Sequence, residues 1–296
     1  MLGWGAAYVP SAWLVARWPP LLAAGARLTL AGVILLGLVA ALGRPLRPGA
    51  GPGSVAWLAL TQTVLFYGAT FWGIAQSGAG LAAVLANTDP LFVAALAALA
   101  LGERLGRAQW AGLAIGLVGA GVVVWEGPAW PPAVSGSALV MVGGALAWSL
   151  GTVVAARGLR GRADPLALAG WQMALGGPVL LGAGALAEGG AAALGGRELA
   201  LVLGLALVGS AAPAALFYLA LVRAPAAEVS AWFFLVPAVG VASAWPLLGE
   251  QPGARLWVGL AAVTAGLWLV LRPAARAGGP LVDSAAPVSR DVTDRP

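Results

Sequence analysis

Apolar residues run along this chain almost without interruption, so its short polar breaks carry most of the information. Stretches of about 20 apolar residues, the length that carries a helix across ~30 Å of hydrocarbon, recur from end to end. Taken in order, the breaks predict ten helices: Leu2 to Ala16, Pro20 to Leu42, Ser54 to Gln76, Ala79 to Leu101, Ala108 to Trp125, Gly136 to Ala156, Pro165 to Ala187, Glu198 to Val222, Ala226 to Leu248 and Arg255 to Leu271. The first is short. Its counterpart, found by matching Trp4 to Trp148, begins several residues earlier near Gly136, so a clipped helix or a start upstream of Met1 is expected.

The pattern also repeats. A shift of 147 superimposes Pro90 on Pro237, Gly102-Glu103 on Gly249-Glu250, Trp110 on Trp257, Gly112 on Gly259 and Gly119 on Gly266, without a gap. Two five-helix units follow, at residues 1–126 and 136–272, joined by a proline-bearing linker at 127–135. A tail at 273–296, rich in Pro, Ser, Asp and Arg, is expected to be disordered and cytoplasmic. Small residues in the fifth helix (Gly112, Gly116, Gly119, Gly121) predict close packing on a neighbour.

Composition agrees with a polytopic membrane protein: 60% of residues are hydrophobic and 9% charged, against about 25% charged in soluble domains. Cysteine and histidine are absent, which excludes disulfides, thiolate chemistry, zinc clusters and imidazole acid–base work. All sixteen basic residues are arginines, scattered over loops rather than gathered in a patch, so nucleic acid is not an expected partner.

With a cytoplasmic N-terminus, twelve arginines fall on the cytoplasmic side, at positions 44, 47, 104, 107, 157, 160, 162, 223, 272, 276, 290 and 295. Three (Arg17, Arg197 and Arg255) fall opposite. This positive-inside bias puts both termini in the cytoplasm of a cell whose cytoplasmic (inner) membrane holds the protein. An odd number of helices per unit then sends the second copy in from the other side. The expected fold is therefore an all-α membrane protein with ten transmembrane helices in a 5+5 inverted-topology repeat, whose halves rock about a midplane site.

The Pro90-Leu91-Phe92 run after a polar helix centre, the Leu101-Gly102-Glu103-Arg104 stop and the Gln109-Trp110-Ala111-Gly112 opening of the next helix resemble EamA-type transporters of the drug/metabolite transporter superfamily. Leu248-Gly249-Glu250 and Trp257-Val258-Gly259 match in the second copy, and the resemblance covers residues 1–272. It implies alternating-access transport, often export, of a small organic metabolite such as an amino acid, nucleobase or drug-like solute. It further implies that helices 1 to 4 and 6 to 9 enclose the site, with 5 and 10 supporting it or joining copies in a homodimer. No cofactor is expected.

Asp89 is the sharpest candidate, since an ionised carboxylate at membrane depth costs at least ~2.5–3.5 kcal/mol. It reads either as a substrate-binding or proton-accepting group, or as a structural carboxyl that is protonated or paired with Arg27. Pro90 removes a backbone donor beside it, and Asn87 and Thr88 are placed to satisfy the loosened backbone. Arg27 reads as a ligand for an anionic substrate group, a partner for Asp89, or a side chain snorkelling to the outer interface. Gln62, Gln172 and Asn87 read as interhelical hydrogen-bonders or cavity lining. Tyr67, Trp72, Trp148, Trp171 and Trp232 fall inside helices as candidate pocket walls, the tryptophans reading equally as packing against lipid or a neighbouring helix, whereas Trp18, Trp57, Trp110, Trp125, Trp130, Trp245 and Trp257 fall at helix ends as an interfacial belt. Pro90 and Pro237 are candidate hinges. Glu228 reads as a macrodipole partner or a gate, and Glu103 and Glu250 as caps of helices 5 and 10.

An enzyme is disfavoured: only Asp89 supplies a carboxylate at depth, and lysine and histidine are missing for serine-based schemes. A channel or a structural membrane partner without carrier activity is the alternative that saturable counterflow would separate from a carrier.

Overall fold

The computed structural model describes residues 2–102, 105–124, 135–160, 163–189 and 195–271. Glu103, Trp125, Trp130, most of the 127–135 linker and the 273–296 tail lie outside them. Every regular element among the described residues is helical, as a chain in lipid requires if its backbone groups are to be satisfied internally.

In chain order, α1 is two short pieces, Leu2–Ala6 and Tyr8–Val15, and α2 is Pro20–Ala41. Then come α3 (Pro52–Ser77), α4 (Ala79–Leu101), α5 (Arg107–Val124), α6 (Gly136–Arg160), α7 (Pro165–Ala187) and α8 (Gly196–Leu221). α9 consists of Ala226–Ala231, a single 3₁₀ turn Trp232–Phe234, and Leu235–Leu248; α10 is Ala254–Leu271. Among the described residues six helices (α2, α3, α4, α6, α7 and α8) are long and apolar enough to cross a membrane. The expected helix 6 is extended by a turn, which carries Arg157 and Arg160 into its last turn rather than a loop.

Internal pseudo-symmetry is visible in the irregularities. α3 widens into a π-helical stretch at Ala59–Leu65, and α8 does so at Leu207–Ala211, positions that the shift of 147 brings together. α4 breaks at Asn87–Thr88, and α9 tightens at Trp232–Phe234, with Pro90 and Pro237 close behind in the first turn of the piece that follows each break. Proline is tolerated there because the N–H groups of a helix's first turn have no intrahelical acceptor, so its missing donor costs no helix hydrogen bond. Gly102 and Gly249, also equivalent, end their helices at φ 70° and 68°, the left-handed conformation glycine adopts without a Cβ clash.

Packing repeats the theme. α2 lies along α7, and α5 along α10, as the two most extensive helix pairs. A Cβ on Gly112 would strike the carbonyl of Gly266, and one on Gly119 would lie 3.0 Å from the carbonyl of Gly259. Because Gly112 matches Gly259 and Gly119 matches Gly266, the contact is reciprocal, the mark of an isologous two-fold interface. Bare backbones touch here because lipid supplies no hydrophobic drive and association depends on close packing.

The helix ends are tied in two groups. At one end Arg44 pairs with Asp164 at 2.5 Å, Asp164 Oδ1 caps α7 by accepting from Leu166 and Ala167 N–H, and Arg157 Nη2 donates to the Ala100 carbonyl at 2.7 Å. At the other, Glu188 accepts from the N–H groups of Leu21 and Leu22, Arg17 meets Glu198 at 3.3 Å, and Glu250 receives α4. Glu250 corrects an expectation: its carboxylate accepts from Ala79 N–H at 2.6 Å and Gly80 N–H at 2.8 Å, capping α4 of the other repeat instead of α10. Trp18 is another correction, since it is buried instead of joining the interfacial belt.

Candidate functional site

A small cavity of about 30 Å³ lies where helices of both repeats converge. Trp4, Tyr8 and Ser11 of α1, Arg27 of α2, five residues of α3 from Phe66 to Ile74, Asn87 of α4, Trp148 of α6 and Phe233 with Val236 of α9 line it. A space of this size holds about one water, so a larger solute enters only as the surrounding side chains part.

The rings form one connected set. Trp4 and Trp148, one from each repeat, meet edge to face at 6.0 Å, and Phe233 stacks on Trp4 at 4.8 Å. Phe66 lies 4.8 Å from Trp148, and Trp4 Nε1 donates to the Tyr67 hydroxyl at 3.2 Å. Such edge-to-face and offset contacts are the favoured aromatic geometries.

Arg27 is the cation of this wall. It is buried, and its guanidinium lies over the rings of Tyr67 (5.3 Å) and Phe71 (5.4 Å). Nε donates to Ser210 Oγ at 2.6 Å, Nη1 to Ser11 Oγ at 3.2 Å and Nη2 to the Gly209 carbonyl at 2.5 Å. Gly209 and Ser210 belong to the π-helical stretch of α8, where the wider turn leaves backbone oxygen open to a side chain. Arg27 therefore neither snorkels to an interface nor pairs with Asp89.

Asp89 starts the second piece of α4 and is 1% exposed. Neither carboxyl oxygen has a hydrogen-bond partner. Its backbone carbonyl accepts from Ser149 Oγ of α6 at 3.0 Å, which ties the break to the other repeat. Two residues earlier, Asn87 Nδ2 bridges the Tyr8 hydroxyl and the Ala83 carbonyl, both at 2.8 Å.

Of the sequence candidates, the cavity thus brings together Arg27, Tyr67, Asn87 and Trp148, with Asp89 behind the wall, two residues from Asn87. Gln62 is spent on interhelical bonds: Nε2 donates to Thr152 Oγ1 at 3.0 Å and Oε1 accepts from the Tyr218 hydroxyl. Gln172 Oε1 accepts from Thr63 Oγ1 at 2.9 Å, away from the cavity. Trp72 sits in an outer groove beside Val140 and Leu180, Trp171 donates to the Leu46 carbonyl at 2.7 Å, and Trp232 is 53% exposed in a groove with Glu228. Sequence reasoning missed Tyr8, Ser11, Phe71 and Phe233. Trp4 had a signal in its match to Trp148.

With this geometry in hand, a family model decides the affiliation: the EamA-like transporter family model matches residues 1–125 and 135–272. The chain belongs to the EamA-like transporter family. This makes it a multi-pass membrane transporter rather than an enzyme, and no group of three or more metal-ligating side chains occurs among the described residues. A WAT1-related chloroplastic protein of Arabidopsis thaliana is 27% identical over 91% of this chain and 67% of its own length. A riboflavin transporter of Rhizobium johnstonii is 32% identical over 73% of this chain and 70% of its own. A solved crystal structure superposes with a TM-score of 0.64 over 90% of this chain and 94% of that one, at 21% identity, a likeness of fold alone.

Proposed function

We propose that this EamA-like chain is a secondary carrier that exports a small organic solute across the cytoplasmic membrane by alternating access. The observation that carries this is the cavity walled by both repeats, with Arg27 in its wall and a broken helix from each repeat contributing to it. The riboflavin transporter among its relatives supports a small organic solute as cargo.

The architecture proposed is ten crossings in a 5+5 inverted repeat with both termini cytoplasmic. The end contacts support it. Arg44–Asp164 and Arg157–Ala100 join segments that follow even-numbered helices, whereas Arg17–Glu198, Leu21–Glu188 and Ala79–Glu250 join segments that follow odd-numbered ones. Ten alternating crossings put these groups on opposite faces. The breaks before Pro90 and Pro237 act as hinges, moving Asn87 and Phe233 of the cavity wall. Asp89, buried beside the first hinge with both oxygens unpartnered, takes up or releases a proton as the hinge opens.

The test is counterflow in proteoliposomes with a panel of amino acids, nucleobases and aromatic metabolites, with and without a pH gradient. Saturable exchange of one class supports the carrier. Unsaturated conductance would establish a channel, and silence from folded protein would leave a structural membrane role.

A further inference from the structure

The polar chemistry of the cavity wall is one-sided. No carboxylate occurs among its described lining residues, and the three partners of Arg27 are neutral oxygens of Ser11, Gly209 and Ser210. A guanidinium has five N–H donors, of which these bonds use three. Trp148, 1% exposed and part of the same wall, keeps its indole N–H without an acceptor. The site therefore holds an uncompensated positive charge and spare donors in a low-dielectric setting, where an anion with two or more acceptor oxygens is bound most strongly.

Much of the remaining wall is aromatic, alongside the aliphatic Ala7, Ile74 and Val236. Trp4, Phe66, Phe71 and Phe233 join Trp148 and Tyr67 around the cavity, and Trp4 already stacks on Phe233 at 4.8 Å with planes 22° apart. A flat ring system can join such a set of offset and edge-to-face contacts, which a branched aliphatic one cannot. A solute cation would face the Arg27 charge across the same small space.

From this donor set we infer that the cavity takes a planar aromatic monoanion, its carboxylate received by Arg27 and the Trp148 indole N–H and its ring held between aromatic side chains. The inference rests on the carrier reading. Binding removes the desolvation penalty of a lone buried cation, so affinity follows the charge of the solute more than its ring alone.

The test is equilibrium binding to the full chain in nanodiscs at pH 7, using 2-naphthoate, its neutral amide 2-naphthamide and the cation 2-naphthylmethylamine. The expected order is naphthoate first, tighter than the amide by about tenfold or more, with the amine weakest. Arg27→Gln should abolish that preference, and Arg27→Lys should retain part of it. The wild-type order is informative without either variant, so a misfolded variant does not decide the matter. Equal or tighter binding of the amide or amine would overturn the anion while leaving an aromatic solute site intact. No binding of any of the three would overturn the aromatic anion altogether, and the counterflow panel separately decides whether the carrier reading falls with it.

Discussion

Trp4 and Trp148 meet at the cavity with ring centroids 6.0 Å apart and planes at 86°. One belongs to each repeat, so the two halves of the chain meet at the site itself. Trp148→Phe keeps a ring there but removes the unpartnered indole donor. Solute affinity should fall about tenfold or more, in line with the ~1.5–3 kcal/mol of a hydrogen bond to a charged group, with the thermal transition little changed; binding isotherms alongside a melting curve check this.

Asp89→Asn preserves shape and removes the proton-carrying group. Counterflow without a pH gradient should persist, while stimulation by a gradient is lost. Full transport with unchanged pH dependence would remove Asp89 from the mechanism.

Glu250→Ala should loosen the N-terminus of α4, where the carboxylate now accepts two N–H bonds. Hydrogen bonds to charged groups contribute about 1.5–3 kcal/mol each, so a clear drop in melting temperature is expected. Glu250→Gln, which retains one acceptor oxygen, should fall between the two proteins.

Gly266→Val should be severely destabilising, because its Cβ would strike the Gly112 carbonyl. Overpacking of this kind costs about 1–3 kcal/mol. On α5, Gly121→Ala meets nothing within 4 Å and should be neutral. Detergent thermal-shift measurements on both variants separate the packing role from a general intolerance of α5 and α10.

What the sequence disclosed divides along physical lines. The break at Asn87-Thr88-Asp89-Pro90 and the repeat that places Pro237 opposite Pro90 were legible, because polar and helix-breaking residues are conspicuous against an apolar background. Arg27, Tyr67, Asn87 and Trp148 were legible as candidates for the same reason. Ser11, Phe71 and Phe233 were not: a helix in lipid is apolar on every side, so its pattern does not reveal which face turns inward. Gln62 looked like a wall residue because an amide serves equally in a cavity or between helices, and only Thr152 and Tyr218, distant in sequence, show which. Glu250 misled because its acceptor role is filled by α4, far from the helix it precedes. Trp72, Trp171 and Trp232 show that depth along a helix says nothing of direction around it.

Alternating access to the cavity is the central claim, and the cysteine-free chain allows a direct test of it. Thr70 lines the cavity, and its hydroxyl donates only within its own helix, to the Phe66 carbonyl. A single Thr70→Cys variant in sealed vesicles of either orientation would be treated with a membrane-impermeant thiol reagent, with ion conductance recorded in parallel. Alternating access predicts labelling from both faces in turn, without conductance. Labelling confined to one face would contradict it.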